Sequence, residues 1–519
     1  MSVAEALRRT SLRVTCIGDI LDRACSALGK SRIHIRKGNL MSKARPRLEH
    51  MLILLPGITG SVLEKNGKLI WGPAPHALVS LASSMGASLN GLQLQADDVE
   101  DDGVRATRIM PYTLIPGISY FDGYSGLHDE LHHRFALTEG DALNPDGEPA
   151  NFFEFPYDWR RCNRISANRL KELVDRELPK WRKHSGSPDA GVILLCHSMG
   201  GLVGRYYVEV LRGFECVRAL VTFGTPHRGT IDAAASLANG FTLAGKKFAA
   251  LNDALKSFTS AYQLLPRYPS ILDPEGNWKR PCEIATREWA IDQTKAIDAF
   301  AFHEEIEHAS ARNRQSQSYT TELIPVYGWG QRTYQSGQLH GDGVLDLQMS
   351  LPPGIDRFAF PDGDGRVPRV SAIPIPLDSK PPRWWPVNQR HSTLQNNRTL
   401  IANLAQMLLA LQGDLRVPAR GGTHLATERG IALDLAPAFS AGTPVDFEAR
   451  SEEHDLGNLS ARIEPVAGGP AIEHQLQHDG DRWHGSVTGL AVGDYRLTII
   501  PEHAHTSPGD YIADLFCVV

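Results

Sequence analysis

A serine stands at the tip of a turn in residues 191–205, which read GVILLCHSMGGLVGR. The apolar run before it is typical of a buried strand, and the glycines after it lead into a segment typical of a helix. A serine on such a strand–turn–helix, Ser198 here, attacks ester carbonyls when a neighbouring base removes its proton. The usual pattern around such a serine is G-x-S-x-G, and Cys196 takes the place of the first glycine. The rest of the chain must therefore supply the partners for this chemistry.

An acid and a base follow Ser198 in the chain order that α/β-hydrolases use. The segment FPDGDGRVPRVS offers Asp364 in a glycine-rich turn, and VNQRHSTLQN offers His391 in a polar loop before a helix. The histidine would take the serine proton, and the acid would hold the histidine in the required tautomer. Asp362 and Asp342 lie in similar turns, so the residues alone leave three candidates for the acid.

Two backbone amides are needed to stabilise the oxyanion that forms when serine attacks an ester. One is expected from Met199, the residue after the serine, where a helix begins and its dipole favours negative charge. The second is expected from the loop in LLPGITGS, with Ile58 as the donor. Glycine allows the backbone to approach a substrate closely, and Gly57, Thr59 and Tyr157 are the candidate substrate-binding residues.

Strand-like apolar runs alternate with helical patterns from about residue 50 to residue 412, which predicts a doubly wound, mostly parallel α/β sheet. A long helical and irregular stretch, about 230–320, interrupts this alternation and predicts a helical cap. Short alternating segments with Gly and Asp turns then predict an immunoglobulin-like β-sandwich over 425–519. The predicted organisation is an N-terminal extension over 1–48, which is loose or is untranslated up to residue 40, then an α/β-hydrolase domain over 49–414, and the sandwich.

Several motifs occur together in one order: LLPGITGSVLEKNGKLIW, FPYDWRR, CHSMGGLV, FGTPHRGT, DGDGRVP and HSTL. Their combination resembles the lecithin:cholesterol acyltransferase and phospholipid:diacylglycerol acyltransferase relatives among the α/β-hydrolases, over roughly residues 50–412. The resemblance implies a lipid acyl ester as substrate and a covalent acyl-enzyme on Ser198. In the family the acid lies three residues before the valine of the DGDGRVP motif, which selects Asp364 over Asp362. The paired cysteines of secreted members are missing, as expected for a bacterial-type member.

The composition is that of an ordinary globular protein, with 519 residues, 42% hydrophobic and 22% charged. A net charge of −5 gives no basic face, so no nucleic-acid partner is expected. The seven cysteines are scattered without a C-x-x-C pair, which favours a reducing compartment. No apolar run has the length of a signal peptide core or a membrane span. We therefore expect a cytoplasmic protein, and a peripheral contact with the inner membrane face stays open.

A lipid substrate is the expected partner, and the sandwich offers a surface for a protein partner. Residues 241–256 mix Phe and Leu with three lysines, so this stretch either contacts lipid or packs over the sheet. No metal or organic cofactor is expected. The segment HDELHH places His128 and His132 four residues apart as in a zinc helix, but Glu130 falls at the third position of that motif. The expected interpretation is an amphipathic helix with exposed histidines.

Taken together, the residues and the resemblance predict serine-dependent cleavage of an acyl ester of a phospholipid or glycerolipid. The chain would then act as a lipase, a phospholipase or an O-acyltransferase in lipid metabolism. One alternative is a soluble carboxylesterase or thioesterase. A second is a catalytically silent binding module with the α/β-hydrolase fold, which would dock a partner through its sandwich.

Overall fold

The structure, a computed structural model, describes residues 45–72, 91–95, 102–115, 119–240, 242–243, 246–247, 249–355, 362–380, 383–412, 430–451, 456–502 and 511–519. The chain separates into two compact units, Met1–Arg45 and Pro46–Val519, and the described helices and strands all belong to the second. The predicted extension over 1–48 lies outside the described residues, apart from residues 45–48.

Seven parallel strands form the central sheet. In chain order they are β1 (Met51–Leu55), β2 (Glu139–Asp141), β3 (Phe152–Glu154), β4 (Val192–His197), β5 (Val217–Phe223), β6 (Glu322–Gly328) and β7 (Trp385–Val387). They lie in the order β7-β6-β5-β4-β1-β3-β2, and each neighbouring pair is parallel. This sheet confirms the predicted α/β fold class.

Helices cover both faces of the sheet, as a wholly parallel sheet requires. They are α1 (Ser125–Arg134), α2 (Asn163–Ser185), α3 (Gly200–Glu209), α4 (Ile231–Asn239), α5 (Ala249–Ser257), α6 (Thr259–Tyr262), α7 (Gln293–Asn313), α8 (Arg369–Ala372) and α9 (Arg398–Leu411). Successive residues of a strand point to opposite faces, so Ile53 of β1 packs in one core with α2, α3 and α7. Its neighbour Leu54 packs in a second core with α1 and α9.

Shorter elements complete the described part of the α/β region. One three-stranded sheet is formed by Ser61–Lys65, Lys68–Trp71 and Val104–Ile109, and one four-stranded sheet by Ile271–Leu272, Trp278–Lys279, Ser336–Leu339 and Leu345–Gln348. Three two-stranded sheets pair Thr113–Ile115 with Ser119–Phe121, Thr242–Leu243 with Lys246–Lys247, and Gln331–Arg332 with Asp362–Gly363. Single 3-10 turns lie at Gly213–Glu215, Pro281–Glu283, Ile375–Leu377 and Leu394–Asn396.

The stretch predicted as a cap, about 230–320, divides into two parts. Its last helix, α7, packs against α3, where the Phe302 ring stacks on Tyr206 with 5.4 Å between centroids. Arg205 of α3 also donates to Glu307 of α7 at 2.7 Å. Because α7 connects the parallel neighbours β5 and β6, it is the crossover helix that such a pair needs. α7 thus belongs to the sheet's crossover connection, and the cap with its limits stays a prediction.

Two further sheets follow and share one core. Their strands are β8 (Ala432–Leu435), β9 (Ala438–Phe439), β10 (Val445–Arg450), β11 (Leu459–Pro465), β12 (Ile472–Gln475), β13 (Gln477–Asp479), β14 (Arg482–Val487), β15 (Gly493–Pro501) and β16 (Ile512–Val518). The sheet orders are β8-β10-β14-β13 and β9-β16-β15-β11-β12. Phe447 and Trp483 of the first sheet join Leu497 and Phe516 of the second in one apolar cluster. The C-terminal β-sandwich is thus confirmed, whereas its immunoglobulin likeness and the domain limits stay predictions.

Candidate active site

Ser198 lies in the turn between β4 and α3. Its φ is +51°, in the left-handed region that a non-glycine residue adopts at a cost. Its amide donates to the Phe223 carbonyl of the adjacent strand β5 at 2.8 Å. Gly201 lets the start of α3 pack closely against the segment after β5, because a Cβ there would lie 1.9 Å from Thr225 Oγ1. The strained backbone and the core around it hold the serine at the strand end, which is the geometry of a nucleophile turn.

His391 and Asp364 form a hydrogen-bonded series with Ser198. His391 Nε2 lies 3.0 Å from Ser198 Oγ, and its Nδ1 lies 2.7 Å from Asp364 Oδ2. The other oxygen of Asp364 accepts from the amides of Arg366 and Val367 at 2.9 and 2.7 Å. When Nδ1 donates to the carboxylate, Nε2 carries the lone pair that can take the serine proton. The structure brings together the three residues predicted as catalytic.

The other two candidate acids have different partners. Asp362 Oδ2 lies 2.5 Å from Arg369 Nη2 and accepts from the Gly330 amide at 2.7 Å. Asp342 is exposed and its carboxylate accepts from an amide of its own turn. Gly224 (φ +57°) also fits the pair of Asp364 and His391, because a Cβ there would lie 2.9 Å from an atom of each. Geometry therefore agrees with the choice of Asp364 that the resemblance implied.

The turn after β1 packs directly against the serine. A Cβ on Gly57 would lie 2.9 Å from Ser198 Cβ, so glycine permits the close approach. Thr59 has a φ of +63° and reverses the chain there. Within the described residues, neither the Ile58 amide nor the Met199 amide makes a hydrogen bond. Both candidate donors flank Ser198 and are available to an oxyanion.

A second histidine and a tyrosine, which the sequence reasoning missed, join the two sides of this site. The Gly57 amide donates to Tyr124 Oη at 2.9 Å, and Tyr124 Oη lies 3.1 Å from His197 Nδ1. His197 Nε2 lies 3.1 Å from the His391 carbonyl oxygen, so this nitrogen is the donor. Burial, and next the nearby His391, hold the pKa of His197 well below its ordinary value. A neutral His197 therefore ties the turn of Gly57 to the loop of His391.

The sequence places both residues beside recognisable features of the site. His197 is the residue directly before the serine, and Tyr124 lies in the motif FDGYSGL. A partner for the buried tyrosine hydroxyl would have been expected, but nothing local indicates that His197 provides it.

A largely apolar cavity of about 160 Å³ opens at Ser198. Gly57, Ile58, Thr59, Ser198 and His391 line its polar end. Aromatic and aliphatic side chains line the remainder, from α4, from α5 and the residues that follow it, and from three segments nearer the N-terminus: Trp71, Leu92, Trp159, Leu237, Leu251, Leu255, Phe258 and Leu264. The cavity therefore joins an apolar space to the side chain of Ser198.

Tyr157, predicted to bind substrate, is not among the residues lining that cavity. It is buried, and its hydroxyl donates to the Pro56 carbonyl oxygen at 2.8 Å. Its neighbour Arg160 is also buried and binds Asp158 and Asp102 at 2.7 and 2.8 Å. Tyr157 therefore supports the turn after β1 from behind, and Arg160 is held in a buried ion-pair network.

A second cavity of about 610 Å³ reaches His391 from the side of the sandwich. Charged groups of both regions line it: Asp232, Arg332, Asp364, Arg366, Arg390, Asp434, Arg450 and Asp514. Burial raises the pKa of Asp232 to about 6, and the charge of Asp364 adds to this while Arg366, 3.6 Å away, opposes it. His391 and Arg366 line both cavities. The histidine thus stands between an apolar and a polar compartment.

Residues 389–393, the histidine loop, bind the last strand of the sandwich. Arg390 Nε lies 2.5 Å from Asp514 Oδ2, and Ser392 Oγ donates to Asp514 Oδ1 at 2.6 Å. Thr393 Oγ1 donates to the Ala513 carbonyl oxygen at 3.0 Å. The two residues flanking His391 therefore share one carboxylate of β16.

The stretch over 241–256 is predicted either to contact lipid or to pack over the sheet. The side chains of 241–248 lie outside the described residues, whereas Leu251 and Leu255 line the apolar cavity. Among the helices that the structure describes, none has the length and apolar character needed to cross a membrane.

Comparison with known proteins gives a family and a few structures. Residues 147–324 match the family model of lecithin:cholesterol acyltransferase, so the resemblance predicted from the motifs is confirmed there. At the level of the family, this supports a lipid acyl hydrolase or acyltransferase. No curated protein matches the chain.

Among solved structures, the mature form of Bacillus licheniformis lipase BlEst2 is 13% identical, with a TM-score of 0.30. This match covers 70% of this chain and 93% of that chain. The propeptide form of BlEst2 is 12% identical with a TM-score of 0.27, and its match covers 91% of this chain and 74% of that chain.

Proposed function

We propose that this chain is a serine-dependent lipid acyl hydrolase or O-acyltransferase that works through an acyl-enzyme on Ser198. The observation that carries the proposal is the Ser198–His391–Asp364 series at the mouth of an apolar cavity. A nucleophile with its base and orienting acid is the arrangement that acyl transfer needs, and the apolar walls suit a fatty acyl chain.

In the proposed mechanism, Ser198 Oγ attacks the ester carbonyl while His391 Nε2 takes its proton. Asp364 holds the imidazole and stabilises its positive charge. The Ile58 and Met199 amides donate to the oxyanion, and a single such donor is worth about 2.7–4 kcal/mol in known acyl-transfer sites. His391 then protonates the leaving alcohol, which leaves the acyl group as an ester of Ser198. The same histidine removes a proton from the acceptor in the second half.

The two cavities suggest separate places for the two substrates. The apolar cavity would hold the acyl chain, and the polar cavity on the other side of His391 would admit the acceptor. An acceptor has to reach His391 Nε2 to be deprotonated, and His391 lines both spaces. Water and a polar alcohol both fit a compartment of this character.

Mass spectrometry of the products tests the proposal. Wild-type protein, Ser198→Ala and the exposed-site control Ser316→Ala are incubated with phospholipid vesicles and a polar alcohol such as glycerol. We expect free fatty acid and lysolipid, or new esters of the alcohol, from wild type and Ser316→Ala alone. The first outcome identifies a lipase and the second an acyltransferase.

A fluorophosphonate probe, which labels activated serines, covers the remaining outcomes. Labelling of Ser198 without lipid turnover would favour a soluble ester or thioester as substrate. No labelling and no turnover would overturn the proposal in favour of a binding module.

A further inference from the structure

Helix α1 and strand β2 bring two imidazoles and a carboxylate to one point. His128 and His132 lie one turn apart on α1, and their ring centroids are 4.4 Å apart. Both Nε2 atoms approach the same oxygen of Glu139, at 2.9 Å for His128 and 3.2 Å for His132. Both rings also rest edge-on against the buried Phe152 of the adjacent strand β3. Packing therefore orients the three side chains toward a common centre.

The spacing of these atoms matches the needs of a transition-metal ion. Two ligands at about 2.0–2.2 Å from a tetrahedral zinc lie roughly 3.3 Å from each other. The three ligand atoms lie within 4.8 Å of one another. His128 Nδ1 also lies 3.1 Å from Asp129 Oδ1, and a carboxylate on the second ring nitrogen is the usual support for a metal-bound histidine.

We propose that His128, His132 and Glu139 bind a zinc-type divalent cation. Two imidazoles with one carboxylate favour zinc over magnesium or calcium, which prefer oxygen ligands. Glu130 is misplaced for the motif of a zinc helix, but Glu139 supplies the carboxylate from strand β2. None of the three residues lines the cavity at Ser198. The ion would bind α1 to the edge strand β2. Helix α1 begins directly after Tyr124, whose hydroxyl accepts from the Gly57 amide.

Zinc binding to the chelator-treated full chain tests this site by calorimetry and thermal denaturation. We expect one zinc per wild-type chain and a rise in Tm on its addition, because a ligand of the native state stabilises it. His132→Ala and Glu139→Gln should each bind zinc at least about tenfold more weakly. His133→Ala, an exposed neighbour on the same helix, should bind as wild type does. Wild-type affinity in His132→Ala and Glu139→Gln, or no zinc binding by wild type, would overturn the proposal and leave an ion-paired cluster only.

A second, independent observation concerns Asp514 of β16. This residue is 7% exposed and binds Arg390 and Ser392 on either side of His391. A charged hydrogen bond to a buried carboxylate is stronger than a neutral one, and two of them restrain the backbone that carries the imidazole. We infer that Asp514 is a positioning residue for His391, so that the sandwich completes the active site. This inference rests on the proposed function.

Kinetics of Asp514→Asn test this role. Asparagine keeps an acceptor for Ser392 but loses the charge that holds Arg390, so kcat should fall by about 10–100-fold with KM nearly unchanged. The rate of fluorophosphonate labelling of Ser198 should fall in parallel, at a temperature where the variant is fully folded. Asp446→Asn, on the exposed side of β10, is the matched control.

Equal kcat in Asp514→Asn and Asp446→Asn, with Ser198 still required, would overturn the positioning role alone. Full activity in Ser198→Ala would instead overturn the proposed function. The two failures are therefore distinguishable.

Discussion

Ser198 and His391 meet at 3.0 Å, yet different kinds of contact hold them in place. Ser198 is positioned by backbone: the end of β4, a left-handed φ and a hydrogen bond to the neighbouring strand. His391 lies on a loop whose side chains bind groups distant in the chain, including Asp364 and, through its neighbours, Asp514. The serine turn is part of the sheet, whereas the histidine loop is clamped between the sheet and the sandwich.

This difference explains why the turn of Ser198 has a strong sequence signature and the loop of His391 a weak one. A turn built by backbone needs small residues at fixed positions, such as Gly201 beside Thr225. A loop held by side-chain contacts needs only a matching partner, which any distant segment can supply. The histidine side should therefore be the more sensitive to substitutions far away in sequence.

The largest expected effect is that of Asp364→Asn. An amide at this position favours the wrong tautomer of His391, and the corresponding loss in a serine triad is about 10⁴-fold in kcat. Asp362→Asn is the matched control, because Asp362 binds Arg369 instead. Ester hydrolysis by the purified variants measures both. A larger loss of kcat in Asp362→Asn than in Asp364→Asn would identify Asp362 as the acid. The description of the contacts that hold His391 would then be wrong.

A smaller loss of kcat is expected when the hydrogen bonds of His197, which join the serine side of the site to the histidine loop, are removed. His197→Phe removes the hydrogen bonds to Tyr124 and to the His391 carbonyl, and kcat should fall by about 10–100-fold. Far-UV circular dichroism should stay that of the wild type, because the substitution keeps an aromatic ring in the core. An unchanged kcat would show that the two halves are positioned independently.

The smallest effect is a pH dependence of stability. The folded state keeps His197 neutral because burial lowers its pKa, whereas in the unfolded chain it titrates near 6.5. As the pH falls below about 6.5, the unfolded state binds a proton that the folded state excludes, so stability falls. Between pH 7 and pH 5 this histidine should cost the wild type up to about 2 kcal/mol.

Urea denaturation at both pH values measures this cost. His197→Phe should lose correspondingly less stability on acidification than wild type does. His133→Gln, at an exposed position, should lose as much as wild type. Equal losses of stability on acidification in all three proteins would mean that His197 is protonated in the folded state. A neutral His197 between Tyr124 and His391 would then be rejected.

Much of the fold follows from local patterns. The continuous apolar runs of β1 and β4 are too short for a buried helix and are followed by glycine turns, so they predict strands buried on both faces. The alternating segments after residue 430 predict the sandwich. Whether α7 is a cap helix or a crossover helix could not be predicted in the same way, because both kinds of helix have the same amphipathic pattern. Its contacts with α3 decide between them.

The sequence by itself determined the main elements and the candidate groups: the strand–turn–helix at Ser198, the order of serine, acid and histidine, and the loop that offers Ile58. These depend on backbone preferences and side-chain periodicity over a few residues. Only the tertiary structure decided that Tyr124 meets His197, that Glu139 faces His128 and His132, and that Asp514 holds the loop of His391. Such contacts join side chains from separate elements, and their geometry exists only after the sheet and the sandwich have packed.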